Sequence, residues 1–381
     1  MSRRTYLDYA ASTPTDKLVV QAMHAAESNF ANPSAQYASA REAAKLIATA
    51  RKQIAVFFGA NSEEIVFTSG ATESNNLAIL GAARASQKGQ IISIATEHAS
   101  VREPLHQLAK EGYEVAWCKI DGNGRISLTE FEKLLNYDTI LVTVNYASSE
   151  IGTIQQIAKL SQIIKRHEQS NGTRVVFHTD ASAAASILNC DVSRLGVDLM
   201  TVGGSKIYGP KAIGLLYVRR STQISPIIFG GKQEGGVRSG NQNTTQIVGL
   251  AKAVQILTSK RKQDFENYRE LYTNLMHNLS FDIDVVENGH PRDRIFSICS
   301  FCIKDVNGED LVAYLDAAGF EVATGAACET SSHQPSPALL AIGRSTQEAN
   351  GSLRVSFGRS TTHKDIDNFC KSLKNTLNAL K

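Results

Sequence analysis

Two residues, an acid and a lysine, come at the ends of neighbouring predicted strands and could do chemistry together. Asp180 follows the apolar run Arg174–His178, and Lys206 follows the run Asp198–Val202. Each residue alone is more often part of a surface salt bridge or a helix cap. At the carboxyl ends of two strands, however, they can meet in one crevice. There the amine can bind an aldehyde covalently, and the carboxylate can hold a protonated ring nitrogen.

A turn of Thr, Ser, Gly and Ala follows the predicted strand Ile65–Thr68 and opens a helix. Free backbone N–H groups and hydroxyls at a helix N-terminus suit a phosphate. Alone this signal is weak, because Thr72 or Ser69 can simply cap the helix. The turn has no P-loop lysine and no GxGxxG, so it does not indicate a nucleotide. Together with Asp180 and Lys206 it predicts pyridoxal phosphate, which carries a phosphate, an aldehyde and a ring nitrogen.

His98 and Arg354 are two further candidates. His98 follows the predicted strand Gln90–Ala95, where an imidazole can stack on a planar cofactor and exchange a proton near neutral pH. A lone histidine, however, more often makes a structural hydrogen bond. Arg354 lies in the predicted strand Ser352–Phe357. Facing the core it needs an anion, such as a substrate carboxylate, whereas on an edge strand it would face solvent.

The six cysteines are too sparse for a disulfide framework and fit a reducing compartment. Cys328 lies among small and polar residues without periodicity, which predicts an exposed, mobile loop. Such a thiol is unusual, because a free cysteine is usually buried and inert. Cys299 and Cys302 form a CxxC inside the alternating run Ile295–Ile303, and we interpret them as strand residues rather than as a redox or metal pair.

Short β-branched runs alternate with helical periodicity between residues 65 and 218. The predicted strands are Ile65–Thr68, Gln90–Ala95, Glu114–Cys118, Thr139–Asn145, Arg174–His178, Asp198–Val202 and Ile213–Val218, with helices at Glu73–Ala83, Val101–Lys110 and Ile154–His167. This alternation predicts an α/β fold with a mainly parallel sheet covered on both faces. The active-site loops are then expected at the carboxyl ends of the strands.

The pattern changes after Gly240. We predict one long helix at Thr244–Leu279, strands at Asp282–Val286, Ile295–Ile303 and Ser352–Phe357, and helices at Gly308–Ala318 and His363–Leu380. This order predicts a smaller α+β unit, with the boundary in the long helix near residue 260. The expected large domain spans residues 15–260, and the small domain combines residues 1–14 and 261–381.

Composition excludes several classes of protein. The chain has 381 residues, of which 42% are apolar and 20% charged, as in ordinary globular proteins. Its 40 Lys and Arg against 37 Asp and Glu give a net charge of +3, so we expect no direct nucleic-acid binding. No apolar run is long enough for a membrane span, and no targeting signal is evident at the N-terminus. A cytoplasmic location is therefore expected.

Taken in order, these residues resemble the cysteine desulfurases of the class V aminotransferase superfamily, over nearly the whole chain. In combination the matching motifs are highly specific. They are Tyr6–Pro14, Asn32–Ser34, Thr68–Asn76, Thr96–His98, Glu150–Gly152, His178–Ala181, Lys206–Lys211, Gly230–Glu234, Arg238–Gly240, Gly325–Cys328 and Leu353–Arg359.

The resemblance implies the fold-type I architecture of pyridoxal phosphate enzymes: a seven-stranded, mostly parallel sheet in a large domain, plus a small α+β domain. It also implies a homodimer with the active site at the interface. The implied activity converts L-cysteine to L-alanine and leaves a persulfide on the enzyme. An acceptor protein then takes the sulfur, in iron–sulfur cluster assembly, tRNA thiolation or DNA phosphorothioation.

The resemblance also implies roles for individual residues, and no metal. Lys206 binds the cofactor and moves the substrate's Cα proton, Asp180 partners the pyridine nitrogen, His98 stacks on the ring, Ala71 and Thr72 bind the phosphate, Arg354 binds the substrate carboxylate, and Cys328 is the nucleophile that forms the persulfide.

The sequence departs from the family pattern around the cofactor. The family's SxHK begins with Gly203 here and has Ser205 before the lysine, so a phosphate-binding serine and a histidine are missing, and Ser205 can replace them only in part. The DAxQ motif ends in Ala183, which lacks the glutamine near the phenolic oxygen. Ser149 replaces an asparagine that touches cofactor and substrate, and Asn241 changes a phosphate contact made across the dimer.

The positions for proton transfer and nucleophilic attack are all present, so we predict a divergent, working enzyme. Two alternatives remain at this point. One is a scaffold or sulfur-relay subunit with little turnover, based on the altered pocket. The other is a different class V lyase, such as a selenocysteine lyase. Cys328 argues against a plain aminotransferase, which needs no thiol in that loop.

Overall fold

A computed structural model describes residues 4–325 and 335–380, with only the backbone of Phe281 and Asp282. The strands are β1 (Thr5–Tyr6), β2 (Ile65–Thr68), β3 (Gln90–Ile94), β4 (Glu114–Cys118), β5 (Thr139–Thr143), β6 (Val176–Asp180), β7 (Leu199–Gly203), β8 (Gly214–Val218), β9 (Val285–Asn288), β10 (Ile298–Ile303), β11 (Phe320–Glu321) and β12 (Ser352–Ser356). The helices are α1 (Lys17–Ala26), α2 (Ala38–Phe58), α3 (Ala71–Ala85), α4 (Ala99–Lys110), α5 (Leu128–Leu134), α6 (Ile157–Asn171), α7 (Val192–Leu195), α8 (Thr244–Asp282), α9 (Gly308–Ala317), α10 (Pro337–Ala341), α11 (Thr346–Asn350) and α12 (His363–Leu380).

The large sheet has seven strands in the order β2-β8-β7-β6-β5-β3-β4. Strands β3 to β7 pair in parallel, and β8 runs antiparallel to both of its neighbours. Strands β3, β6 and β7 are buried along their whole length, and β3 and β7 consist mostly of apolar residues, whereas β6 ends in the polar residues His178, Thr179 and Asp180. The predicted seven-stranded, mostly parallel sheet is confirmed.

In the small sheet, β9 and β10 each begin three residues later than predicted, and in the large sheet the predicted bounds differ most at β6. This strand begins at Val176 and continues to Asp180, two residues beyond the predicted end. Arg174 lies outside it, and its guanidinium is paired with Glu168 and Asp198. The extension brings the Asp180 carboxylate to the carboxyl edge of the sheet, where the loops that follow the other parallel strands begin.

A three-stranded antiparallel sheet, β12-β10-β9, forms the smaller unit with α9 and α12. The 39-residue helix α8 packs on α1 and α2 at one end and on α12 at the other. One apolar core runs through both units and includes Phe177 of β6 and Phe301 of β10. The domain division near residue 260 falls inside α8 and stays a prediction.

Within residues 4–325 and 335–380, no helix has both the length and the apolar character to cross a membrane. The same residues hold no group of three or more His, Cys, Asp or Glu that could bind a metal ion.

Candidate active site

A cavity of about 490 Å³ opens at the carboxyl edge of the large sheet. The loops after β2, β3, β5, β6 and β7 all contribute to its wall, as parallel strands that end at one edge require. The structure brings most of the predicted site residues together here. Those lining the cavity are Ala71, Thr72, His98, Ser149, Asp180, Ser205, Lys206 and Arg354, with Ala183.

Asp180 lies at the floor of this cavity with its carboxylate held from two sides. Asn75 Nδ2, from α3, donates to Asp180 Oδ2 at 2.8 Å. The backbone N–H of Ser182 donates to Oδ1, also at 2.8 Å. Only 8% of Asp180 is exposed. The carboxylate is therefore fixed in orientation and shielded from bulk water, as required of a group that must hold a ring nitrogen.

Asn75 extends this arrangement to His98. Its Nδ2 also donates to Ser100 Oγ at 2.8 Å, and Ser100 Oγ lies 2.8 Å from His98 Nδ1. The Ser100 backbone N–H donates to the same His98 nitrogen at 3.1 Å. Nδ1 is thus an acceptor, which assigns the proton of a neutral ring to Nε2. We call Asp180, Asn75, Ser100 and His98 the Asp180 network.

Glu97 lies fully enclosed beside this network. The Asn145 backbone N–H donates to its Oε1 at 2.5 Å. Burial raises the pKa of Glu97 to about 8, with the Asp180 charge adding to the effect and the Asn145 hydrogen bond opposing it. Burial likewise lowers the pKa of His178 to about 4, although the charge of Asp180 works in the opposite direction. At neutral pH neither neighbour adds a full charge beneath the cavity.

Lys206 approaches the cavity from a short 3-10 turn that follows β7. Its Nζ donates to the carbonyl oxygens of Ala10 and Ala11, at 2.6 and 2.5 Å. The Thr13 backbone N–H donates in turn to the Ser205 carbonyl at 2.8 Å. The N-terminal segment therefore closes one side of the site and fixes the lysine's position.

Arg354 lies in β12 of the small sheet and is 2% exposed. Its Nη2 pairs with Asp8 at 2.8 Å, and its Nη1 donates to the Ser149 carbonyl at 3.2 Å. Its buried Nε has no hydrogen-bond partner among the described residues. The strand prediction for this arginine is confirmed, and its guanidinium is the cation that the small unit contributes to the cavity wall.

The loop at residues 238–240 is anchored to the first cavity loop. Arg238 Nε donates to Glu73 Oε1 at 2.8 Å, and the Ser69 backbone N–H donates to Glu73 Oε2 at 2.7 Å. Burial pushes the pKa of Glu73 upward, but these hydrogen bonds outweigh it and leave the pKa below its usual value. The charged pair keeps the turn before α3 in place.

One predicted site residue, Asn241, is not part of the cavity lining, and another lies where the structure is not described. Asn241 is exposed and does not belong to the lining that the described residues form. Cys328 lies outside the described residues. Gly325, three positions before it, is near Glu150: a Cβ placed on this glycine would be 3.3 Å from Glu150 Oε1. Glu150 directly follows Ser149 of the cavity wall, so Gly325 lies close to the site.

The five described cysteines are all buried. Burial raises the pKa of Cys118 to about 11 and those of Cys190 and Cys299 to about 12. The pKa of Cys302 is raised as well, again by burial. Cys299 and Cys302 both belong to β10, which confirms their interpretation as strand residues. These thiols stay protonated at neutral pH and are poor nucleophiles.

Sequence reasoning missed several polar residues of the wall. Ser12, Thr96, Asn145 and Ser182 line the cavity, and each has a buried side-chain oxygen without a partner among the described residues. For Thr96, Asn145 and Ser182 the available signal was a polar residue two positions after the end of a strand of the large sheet. Buried polar atoms are normally satisfied, so a wall of this kind fits a polar ligand. With a carboxylate, a lysine and a helix N-terminus beside them, these atoms fit pyridoxal phosphate.

Comparisons with known proteins agree with this geometry. The model of the class-V aminotransferase family matches residues 5–369. Cysteine desulfurase IscS of Dictyoglomus turgidum is 40% identical over 371 residues, which cover 96% of this chain and 93% of that protein. The solved structure of a NifS-like protein superposes with a TM-score of 0.92 at 29% identity, covering 99% of this chain and 100% of the other.

A third relative was solved with a ligand. The structure described as SspA in complex with cysteine has a TM-score of 0.81 and 33% identity, and the match covers 92% of this chain and 98% of that one. The family model, the relatives and the cavity agree. The chain belongs to the class-V aminotransferase family, as one of its pyridoxal phosphate-dependent cysteine desulfurases.

Proposed function

We propose that the cavity residues divide the desulfuration of L-cysteine as follows: Lys206 moves the proton, Asp180 and His98 hold the cofactor ring, Arg354 binds the substrate carboxylate and Cys328 accepts the sulfur. The observation that carries this proposal is the convergence of the Asp180 network, Lys206 and Arg354 on one cavity. These groups come from strands that are distant in sequence, so their meeting is a property of the fold.

Pyridoxal phosphate, when bound, supplies an electron-accepting ring that makes the Cα proton of an amino acid acidic. The Asp180 carboxylate holds the protonated ring nitrogen, and its orientation is set by Asn75 and the Ser182 N–H. Ala71 and Thr72, in the first turn of α3, offer backbone N–H groups to the phosphate. Ser205 and Ser149 contribute further hydroxyls to the wall. His98 presents its ring to the cofactor.

Substrate positioning follows from charge. The carboxylate of L-cysteine pairs with the Arg354 guanidinium, whose Nε has no partner among the described residues. The amine of Lys206 then takes the Cα proton. Because Asp8 and the Ser149 carbonyl hold the guanidinium in one orientation, substrate binding does not require it to be ordered again.

Sulfur transfer needs a thiolate, and we assign it to Cys328, which lies outside the described residues. The Cys328 thiolate attacks the substrate Sγ, an S–S bond forms, and the Cβ–Sγ bond breaks. Its electrons leave with the three-carbon fragment, which takes up protons and departs as L-alanine, so that a persulfide stays on Cys328. An acceptor protein then removes the sulfur. The proposal is supported by the burial and raised pKa values of the other thiols.

The test is a single turnover with L-cysteine labelled at sulfur. We expect one equivalent of L-alanine per chain and the label on Cys328, found by peptide mapping. Cys328→Ser should retain the colour of the bound cofactor and carry no labelled sulfur, whereas Cys302→Ala, at a buried thiol, should behave as wild type. Labelled sulfur on the Cys328→Ser chain would contradict the role of Cys328. A cofactor-loaded wild type that makes no alanine would favour a scaffold or relay subunit.

We also propose that the chain acts as a homodimer. Phe30 is 88% exposed and Phe229 is 83% exposed, which is costly for phenyl rings in a monomer. Asn241, also exposed, belongs to the segment that follows Phe229. Sedimentation velocity of the full chain should show a dimer, and Phe229→Glu should shift it toward monomer. Tyr137→Glu, at another exposed aromatic, is the control. A wild type that sediments as a monomer at micromolar concentration would contradict the proposal.

A further inference from the structure

The fold buries the Ser182 hydroxyl without giving it a hydrogen-bond partner among the described residues. The residue follows β6 and is 7% exposed, and its backbone N–H is used by Asp180. Its Oγ is buried and has no hydrogen-bond partner among the described residues. It nevertheless lines the cavity. A buried hydroxyl of this kind normally has a partner, and the open side of Ser182 faces the ligand space.

The Ser182 hydroxyl lies beside Gly203 and the start of α3. A Cβ placed on Gly203 would lie 3.7 Å from Ser182 Oγ and 3.7 Å from the Ala71 backbone nitrogen. Ala71 is the first residue of the 15-residue helix α3, and its cap, Gly70, provides no side-chain hydrogen bond. The N–H groups of this first turn are therefore available to an anion. We call Gly70, Ala71, Thr72, Ser182 and Gly203 the phosphate corner.

We propose that Ser182 is a phosphate-binding residue of this chain, taking the place of the hydroxyl that Gly203 lacks. The hydroxyl reaches the same corner from the end of β6 instead of the end of β7. Ser205, the alternative in the sequence, is only partly buried, so water can satisfy it. The inference rests on the proposed function, since it assigns one contact of the cofactor that the cavity holds.

The test compares cofactors with and without a phosphate. Full-length protein is dialysed against pyridoxal phosphate or pyridoxal, and occupancy is read from cofactor absorbance. Ser182→Ala should bind pyridoxal phosphate about tenfold more weakly and pyridoxal within about twofold of wild type, because one hydrogen bond to a charged group is lost. Ser93→Ala is the matched control, since Ser93 Oγ is also buried and unpartnered among the described residues but does not line the cavity.

A second readout needs no activity and no cofactor. Since Ser182 Oγ has no described protein partner, the cofactor-free Ser182→Ala chain should melt at or above the wild-type temperature. A lower melting temperature would assign the hydroxyl to the protein's own structure and overturn the inference. Equal loss of pyridoxal phosphate and pyridoxal, or no loss of either, would overturn it too. A wild type that binds neither compound would contradict the proposed function itself.

Discussion

The Asp180 network and the phosphate corner adjoin each other in the same cavity, where the Ser182 N–H donates to Asp180, and they are built in different ways. In the network, a continuous chain of hydrogen bonds joins Asp180 to His98 through Asn75 and Ser100. In the corner, the Ser182 hydroxyl has no described partner and Gly203 has no side chain at all. In the first region the protein supplies the hydrogen bonds that orient Asp180 and His98, although Asn75 Oδ1 has no partner among the described residues. The second region is completed by what binds there.

The two regions meet two different requirements of the site. Groups that set charge and proton positions must be correctly oriented before the substrate arrives, because reorientation would add to the barrier. Groups that only anchor a phosphate can be exchanged between elements, provided that a hydroxyl reaches the same place. Under the proposed roles, the departures from the family motif at Gly203, Ser205 and Asn241 belong to the second kind and are compatible with a working enzyme.

The largest effect is expected at Lys206, which lines the same cavity as both regions. Lys206→Ala should lower single-turnover alanine formation by at least about 1,000-fold, because proton transfer by a positioned side chain contributes up to about 10,000-fold. Lys211→Ala is the matched control, since Lys211 is exposed and also lines the cavity. We expect it to stay within about tenfold of wild type. Similar losses in the two variants would mean that the cavity's charge, and not Lys206 in particular, controls the rate.

Breaking the Asp180 network should cost folding stability as well as activity. Asn75→Ala leaves Asp180 Oδ2 and Ser100 Oγ without their amide donor, so we expect the free energy of unfolding to fall by about 2–3 kcal/mol. Asn76→Ala removes the neighbouring amide, whose Nδ2 bonds only locally to the Thr72 carbonyl, and should cost about 0.5 kcal/mol. Denaturant unfolding of both variants measures the difference. Equal costs would show that the network is not prearranged by the protein.

The pH dependence of stability tests the buried acid beside the network. The pKa of Glu97 is raised to about 8 in the folded chain. Its contribution to the free energy of unfolding is therefore complete only at pH values below the pKa of an ordinary carboxyl group. As pH rises through that range toward 8, the unfolded chain has lost the proton and the folded chain still holds it. Stability should therefore fall by up to about 1.4 kcal/mol per pH unit.

Glu97→Gln removes this titration and keeps an oxygen to accept the Asn145 N–H. Unfolding free energies of both chains at pH 5.5, 6.5 and 7.5 should therefore converge toward low pH, apart from a constant offset. The variant should gain on the wild type as pH rises. Parallel curves for the two chains would contradict a raised pKa at Glu97.

The sequence alone predicts the sheet and the chemistry at its edge. Strands β2 and β4 are predicted to the residue, β2 from an apolar run that is buried throughout and β4 from a short run at the partly exposed edge of the sheet. Asp180 and Lys206 follow such runs, and their meeting needs only the rule that parallel strands end together. Helices α1 and α2 were not predicted, because they lie outside the strand–helix alternation used to find the fold.

The partners inside the cavity could not be predicted in the same way. Asn75 and Asp180 are 105 positions apart, and their contact depends on how α3 packs against β6. Ser182 shows its importance only once Gly203 and Ala71 are known to lie next to it. Sequence motifs identify residues whose type the reaction requires. A contact that has moved to a residue on another element can be identified only from how the elements pack.

The smallest effect is expected at Ala212, which lines the cavity with a backbone φ of 56°. This left-handed conformation costs an alanine about 1 kcal/mol, which glycine avoids. Tyr208, at φ 59°, has the Thr13 hydroxyl and Tyr268 to hold it, whereas the alanine methyl can make no hydrogen bond. Ala212→Gly should therefore raise the free energy of unfolding by about 1 kcal/mol, while Ala48→Gly, at an exposed position inside α2, should lower it by about the same amount. If denaturant unfolding shows changes of opposite sign in the two free energies of unfolding, the cavity wall contains a strained backbone position at Ala212. If both free energies fall, the Ala212 backbone lies outside the left-handed region.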